Sequence, residues 1–332
     1  MMKMHRLGAA GPMVSAIGLG CMGMSDVYGA ADETRSLHTI QAAVDAGINL
    51  IDTGDFYGMG HNEMLIGRAL KDVARDRLVI SVKFGALRDP AGNYGGIDTR
   101  PEAIRNFIAY SLKRLGTDYI DIYRPARLDP QVPIEETVGA IADLIQQGYV
   151  RHLGLSEVSA ETIRRAHKVQ PVVDLQIEYS LMSRGVEAGI LPVLRELGIG
   201  MTAYGVLSRG LIANEAPSAD SGMRARLPRF QGENFAHNRA LVDALAAIAD
   251  EKGVNASQLA IAWVASRGED IVPLIGTTRP ERLMEAVAAL DMVLSPQDLA
   301  AIEAAMPAQA VMGTRYDAHQ MHALDSERAS PA

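Results

Sequence analysis

Short apolar runs alternate with longer segments of helical periodicity, and the pair repeats eight times along 332 residues. SAIGLG (15–20) precedes DETRSLHTIQAAVDAG (32–47), NLIDT (49–53) precedes HNEMLIGRAL (61–70), and LVISVKFG (78–85) precedes RPEAIRNFIAYSLKRLG (100–116). YIDIYRPA (119–126) leads to IEETVGAIADLIQQG (134–148), VRHLGLSE (150–157) to SAETIRRAHKV (159–169), and VVDLQIEYS (172–180) to GVEAGILPVLRELG (185–198). IGMTAYGV (199–206) leads, after a long loop, to helical runs at 236–253 and 255–266, and IVPLIGT (271–277) leads to RPERLMEAVAAL (279–290). Runs apolar on both faces suit a parallel sheet covered by helices. Eight such units predict an α/β fold of the closed (β/α)8 TIM barrel type, with a doubly wound sheet as the competitor. Gly47, Gly116, Gly148, Gly198 and Gly253 fall where helix C-caps belong, and Thr99 and Ser159 where N-caps belong.

No composition break divides the chain, so residues 1–332 read as one domain. The turn around Gly11 and Pro12 predicts an N-terminal β-hairpin plugging the barrel bottom. Residues 207–235 form a Gly-, Ser-, Pro- and Arg-rich loop, and 307–332 a long C-terminal loop or tail over the barrel mouth. Net charge is −8 and is spread along the chain, which argues against nucleic acid or a polybasic membrane patch as partner. One cysteine, Cys21, excludes an intramolecular disulfide, and no metal signature is present. The start carries no long apolar segment and no run reaches membrane-span length, so a cytoplasmic protein is expected. Whether it is a monomer or homo-oligomer the sequence leaves open.

GLGCMG (18–23) matches a dinucleotide-type glycine pattern, but no helical periodicity follows until about residue 32. A phosphate cradle of that type must open a helix directly, so a strand-end loop is the better reading. The chemistry is concentrated elsewhere. NLIDT carries a carboxylate, Asp52, and SVKFG carries Lys83 where a buried strand should be apolar. A buried lysine requires a partner, and Asp52 is the obvious one. Tyr57 follows Asp52 closely. An ammonium beside its phenol is expected to lower the tyrosine pKa and yield a proton donor or acceptor useful near neutral pH. A structural ion pair near a surface tyrosine is the competing reading.

The stretches NLIDTGDFYGMGHNEMLIGRAL, LVISVKFG, YIDIYRPARLDP, VRHLGLSEVS, LQIEYSLMSR, MTAYGVLSRGL and VPLIGTTRPERLMEAVAAL together resemble the aldo-keto reductase superfamily, especially bacterial and plant members. The resemblance runs in order over roughly residues 6–300. It implies a (β/α)8 barrel that binds NADP(H), with NAD(H) possible, and transfers hydride reversibly between nicotinamide and a small-molecule carbonyl or alcohol. It maps three members of a catalytic tetrad onto Asp52, Tyr57 and Lys83. The fourth, a histidine before an arginine, is Ala126 here, followed by Arg127. A methyl cannot donate to a substrate oxygen. A water, Arg124, Arg127, His319 or His322 could compensate, whereas His152 begins its strand and points to the silent end of the barrel.

The same resemblance implies that the Tyr204 ring stacks on nicotinamide, and that Ser156, Glu157 and Gln176 meet its carboxamide. Gly205, Leu207, Ser208, Arg209 and Gly210 would carry the pyrophosphate on backbone N–H groups. Gly276, Thr277, Thr278, Arg279 and Arg282 would meet the adenosine 2′-phosphate at a helix start. Substrate walls would come from Met24, Tyr28, Phe84, Arg88, Arg124, Arg127 and Tyr316. An aromatic or cyclic aldehyde or ketone suits such walls. Oxidation of a cyclic hemiacetal or secondary alcohol, and a non-catalytic nicotinamide-binding regulator, are the alternatives.

Overall fold

The computed structural model describes residues 2–25, 27–213 and 222–328. The middle of the expected 207–235 loop and the last residues of the tail lie outside these. The chain begins with an antiparallel hairpin, β1 (Met4–Arg6) and β2 (Met13–Ser15). β3 (Gly18–Gly20), α1 (Glu33–Asp45), β4 (Leu50–Gly54), α2 (His61–Leu70) and β5 (Val79–Phe84) follow. A second hairpin, β6 (Ala86–Arg88) with β7 (Tyr94–Ile97), rises from the end of β5. Then come α3 (Pro101–Leu115), β8 (Ile120–Pro125), α4 (Ile134–Gln146), β9 (Val150–Ser156), α5 (Ala160–Val169), β10 (Val172–Glu178), α6 (Ile190–Leu197) and β11 (Gly200–Tyr204). The chain continues through α7 (Gly232–Glu251), α8 (Ala256–Ala265), β12 (Ile271–Gly276), α9 (Pro280–Ala288), α10 (Pro296–Ala305) and the short α11 (Ala318–His322).

Strands β3, β4, β5, β8, β9, β10, β11 and β12 close in that order into a parallel barrel, β12 pairing with β3. The expected (β/α)8 TIM barrel is therefore the fold. The glycine pattern at 18–23 resolves as expected: β3 runs into a short 3-10 turn, Met22–Met24, and no helix opens before Glu33. Gly18 is instead a packing residue, since a Cβ there would lie 2.5 Å from Leu274 and 2.9 Å from Leu50.

The hairpin plugs the barrel floor as expected. Leu7 and Val14 are fully buried in one apolar cluster with Leu50, Val79, Ile122, Val272 and Leu274. Burying a leucine fully contributes about 1.5–3 kcal/mol. The floor is tight enough to dictate glycine next to it: Gly8 has φ 70°, and a Cβ on it would lie 2.5 Å from the Val173 carbonyl.

Helix ends follow local chemistry. Ser159 caps α5 by accepting from the Thr162 N–H, and Ser295 and Asp298 form a reciprocal capping box on α10. All five glycines expected as helix caps have positive φ. Thr99 is not a cap. Its N–H donates to Asp129 and its hydroxyl accepts from Thr137, so α3 starts after Arg100 without a side-chain cap. The β6–β7 hairpin was not expected. Its signal was the turn Asp89-Pro90-Ala91-Gly92-Asn93, in which the Asp89 carboxylate accepts from the Ala91 and Asn93 N–H groups.

Candidate active site

Strand alternation aims Asp52, Lys83 and Gln176 into the barrel near its C-terminal end, where barrel enzymes place their chemistry. Parallel register sets Gly54 beside Lys83, Lys83 beside Arg124, and Gln176 beside both Ser156 and Thr202. Lys83 donates to Asp52 and, at 2.8 Å, to the Gln176 amide oxygen. Gln176 Nε2 donates back to Asp52 at 2.8 Å. Asp52 and Lys83 are 4% and 5% exposed, so this closed triangle replaces the water each charge has lost.

Beneath it lies a second polar layer. Arg124 is wholly buried and pairs with buried Asp174 at 2.6 Å. Its Nη2 donates to Ser81 at 2.8 Å, and the Ser81 hydroxyl donates to Asp52 at 2.8 Å. Thr202 donates to Asp174 from its N–H at 2.9 Å and its hydroxyl at 3.0 Å. Gly154 makes room for this layer, as a Cβ there would meet Ile122 at 2.8 Å and Arg124 at 3.3 Å. Arg124 is thus not a substrate wall. Sharing a face with Ala126 points it into the lumen, and the Asp174 charge draws it down. Asp174 was overlooked in sequence, although Asp174, Gln176 and Glu178 alternate along one strand.

Tyr57 sits above the triangle, 8% exposed, with the Lys83 ammonium 5.3 Å from its ring centroid and Phe56 edge-on at 4.8 Å. Its pKa does not fall as expected. Burial first, and then Asp52, push it well above 10, and the Arg127 charge opposes them. The main reason is burial of the phenol, and the Asp52 carboxylate beside Lys83 adds to it. Lys83 itself is brought below the usual ammonium range by burial, against the pull of Asp52 and with the help of Arg124. The phenol therefore keeps its proton at neutral pH, as a general acid must.

Ala126 is 2% exposed, and its N–H donates to the Phe84 carbonyl at 2.8 Å. Phe84 alternates with Lys83 and so faces outward, wholly buried and stacked on Tyr123 at 4.2 Å; it cannot line a substrate pocket. Met24 is likewise 1% exposed within the main core. Tyr28 is half-buried under the Arg224 guanidinium, and Arg88 is exposed beside the Phe56 ring. His319 and His322 are exposed on α11.

A strap of tail residues crosses the mouth. Glu157, wholly buried with φ 55°, accepts from Arg315 at 2.8 and 2.5 Å, from the Tyr204 hydroxyl at 2.6 Å, from Ser326 at 2.7 Å and from the Glu178 N–H at 3.0 Å. Burial alone would raise its pKa, but Arg315, then Arg127 and Tyr204, hold it at about 2. With both oxygens engaged, Glu157 is a latch for the strap and not an acceptor for carboxamide. Further along the strap, Asp325 accepts from the Ser159 N–H at 2.8 Å and the Thr162 hydroxyl at 2.7 Å. The Tyr316 hydroxyl meets that of Tyr204 at 2.9 Å. Arg315 was given no role in the sequence reading, which named Tyr316, His319 and His322 from the tail.

After β11, Gly205 has φ 67°, and a Cβ there would meet Glu178 at 3.0 Å. The N–H groups of Ser208, Gly210 and Leu211 donate within the turn, to Gly205, Leu207 and Ser208. Of the five residues expected to carry pyrophosphate, Ser208 and Gly210 therefore have their N–H groups engaged within the turn. Ser208 is buried against Ser180, and Arg209 is held by Glu178 at 2.9 Å. Leu207 is half-buried. At the start of α9, Gly276, Arg279 and Arg282 are exposed and Thr277 and Thr278 half-buried, with the Arg279 N–H bonded to Thr277.

One polar atom at this end stands out. The Ser156 hydroxyl is buried and has no hydrogen-bond partner among the described residues. Such an atom costs about 1–3 kcal/mol unless something binds it. It ends β9, beside Gln176. No helix among the described residues is long and apolar enough to cross a membrane.

Residues 16–307 match the Aldo/keto reductase family. The chain is 40% identical over 316 residues to a Glycine max protein named probable aldo-keto reductase 1, covering 94% of this chain and 91% of that one. Its fold is similar to that of a glycerol dehydrogenase from Gluconobacter oxydans, with a TM-score of 0.82 and 27% identity over 99% and 98% of the two chains. It is also similar to a Klebsiella pneumoniae aldo/keto reductase solved with NADP and acetate, with a TM-score of 0.74 and 26% identity over 94% and 98% of the chains. Closed barrel, buried Asp52–Lys83 pair beneath Tyr57, and sequence match together show that the chain belongs to the aldo/keto reductase family.

Proposed function

We propose that the protein is an NADP(H)-dependent oxidoreductase that interconverts a carbonyl compound, most suitably an aromatic or cyclic aldehyde or ketone, and its alcohol, with Tyr57 as general acid and base. The observation that carries this reading is the Asp52–Lys83–Gln176 triangle directly beneath a buried, protonated Tyr57.

The cofactor fits the residues present. Ser156 offers a buried hydroxyl without a partner, Tyr204 a half-buried ring, and Arg279 and Arg282 guanidinium groups at the start of α9, where helix N–H groups also favour phosphate. Two arginines beside a helix start favour a 2′-phosphate, and so NADPH over NADH. When bound, the nicotinamide supplies the hydride, two electrons and one hydrogen nucleus. Tyr57 gives its phenol proton to the carbonyl oxygen, so the carbonyl gains the elements of dihydrogen, and the phenolate regains a proton from solvent. Asp52 and Gln176 fix the Lys83 ammonium beside the Tyr57 ring. In the reverse direction the phenolate takes the alcohol proton.

The test follows nicotinamide absorbance in paired NADPH/NADP⁺ and NADH/NAD⁺ assays against a panel of aromatic and cyclic carbonyls and alcohols. Turnover is expected with the phosphorylated pair. Tyr57→Phe is expected to lower it by roughly 10²–10⁴-fold, the usual contribution of a general acid. Unchanged turnover in that variant sinks the mechanism.

A further inference from the structure

With a methyl at position 126, no side chain there can donate to an oxygen held by Tyr57. The next residue carries a cation, and its surroundings differ from those of Arg209, Arg315 and Arg124. Arg209 is held by Glu178 at 2.9 Å, Arg315 by Glu157 at 2.5 Å, and Arg124 by Asp174 at 2.6 Å. Arg127 is half-buried, and its hydrogen bonds run to two neutral oxygens: the Ala126 carbonyl at 2.6 Å and the Tyr316 hydroxyl at 3.4 Å.

The tyrosine contact has a fixed direction. Tyr204 uses its single proton on Glu157. It must therefore accept from Tyr316, whose proton is then also used. The Tyr316 lone pairs are left to face Arg127. A one-way chain thus runs from Arg127 through Tyr316 and Tyr204 to the Glu157 carboxylate, and the strap sets where the guanidinium lies. The charged and titratable groups around Tyr57 are Asp52, Lys83, Arg127, Tyr28 and Tyr316. Those around Arg127 are Tyr316, Tyr204, Glu157 and Arg315. Lys83 is balanced by Asp52, and Glu157 by Arg315. The positive charge that remains at Tyr57 is that of Arg127.

We propose that Arg127, held in place by Tyr316 of the strap, is the positioning residue that takes over the role left open at Ala126, stabilising negative charge on the Tyr57 oxygen and on the substrate oxygen that Tyr57 serves. This rests on the reductase reading above. It makes the tail part of the catalytic apparatus, through Tyr316 and not through the tail histidines. At Tyr57, Arg127 is the first influence opposing burial and Asp52.

The experiment compares wild type with Arg127→Met, Arg127→Lys, Tyr316→Phe and Tyr57→Phe. Benzaldehyde reduction by NADPH and the pH profile of benzyl alcohol oxidation by NADP⁺ are measured for each. Arg127→Met is expected to lower kcat about 100-fold, the scale of one lost oxyanion donor, with both KM values within about threefold. The rising limb of the oxidation profile should move to higher pH by about one unit, because phenolate becomes harder to form. Arg127→Lys should recover about tenfold of the loss, since charge returns without the planar fork. Tyr316→Phe should move kcat and the limb in the same direction by a smaller step. Wild-type kcat in Arg127→Met, a rise in KM alone, or an unmoved limb overturns the proposal. Should Arg127→Met fail to fold, Arg127→Lys decides: a lowered kcat with a shifted limb supports the role, and wild-type values overturn it. Loss of activity in Tyr57→Phe alongside wild-type behaviour in Arg127→Met removes only this inference. Retained activity in Tyr57→Phe removes the acid–base reading and this proposal with it.

Discussion

Two of the arginine–carboxylate pairs at the catalytic end of the barrel are anchored in different ways. Arg124 and Asp174 both belong to barrel strands, are wholly enclosed, and meet at 2.6 Å in the lumen. Glu157 ends a strand, but Arg315 reaches it from the strap, 158 residues further along the chain. The first pair cannot part unless the barrel opens. The second can part whenever the strap lifts. The chemistry lies between them: Asp52 touches the lower network through Ser81, and Tyr57 feels the upper one through Arg127. The lower network fixes geometry, whereas the upper one can respond to what occupies the mouth.

The largest expected effect tests the enclosed pair. Arg124→Met leaves Asp174 buried without its cation and should cost about 3–5 kcal/mol in denaturant unfolding. Arg124→Met combined with Asp174→Leu removes both charges from a site closed to water, and should recover most of that loss. A double variant as unstable as the single one would show that the two charges do not depend on each other, and the contrast with the strap would lose its basis.

The floor of the barrel supplies the next contrast. Leu7→Ala opens a cavity in the apolar plug and should cost about 2–5 kcal/mol, read as a lower thermal midpoint. Its kcat should match wild type, because the hairpin seals the end of the barrel away from Tyr57. A fall in kcat with an unchanged midpoint would mean that floor and mouth are coupled.

What could be read from sequence divides along the same line. Period and length gave the barrel, its order of units and the floor hairpin, because those depend on alternating apolar runs. Asp52, Tyr57 and Lys83 were legible because an ionisable residue in an apolar strand is costly unless used. Phe84 and Arg124 were misplaced for want of one step: Lys83 faces the lumen, so its neighbour Phe84 must face outward, and Arg124 has a lumen partner in Asp174. The role of Glu157 could not be read locally. Its five hydrogen bonds converge from β10, β11 and the strap, and nothing in the residues beside it announces Arg315. The Tyr57 pKa was expected to fall because the Lys83 charge was weighed at the phenol without its burial and without the opposing charge of Asp52. Paired charges act on a third group mainly through what they leave uncancelled.

The smallest effect concerns the strap, and it is a pH effect with a definite sign. Burial would push the Glu157 carboxyl up, but Arg315 and its other partners hold it at about 2, against an ordinary 4.5. A depressed folded pKa contributes stability that is present in full above the unfolded value and is lost as pH falls towards the folded one. A fall from 4.5 to about 2 corresponds to roughly 3 kcal/mol. That contribution should disappear between about pH 4.5 and pH 2, and it should be visible locally as faster amide exchange across residues 313–327. In Glu157→Gln the strap should exchange faster already at neutral pH, and its dependence on acid should flatten. Arg315 keeps Glu327 at 2.8 Å and Glu178 at 3.6 Å in that variant, so the cost at neutral pH should not exceed that roughly 3 kcal/mol. If wild type and variant lose strap protection in parallel as pH falls, the latch lies in other contacts, such as Asp325 on the start of α5. The strap would then be fastened at its far end, and the chain from Glu157 to Arg127 would orient Tyr316 without holding the tail.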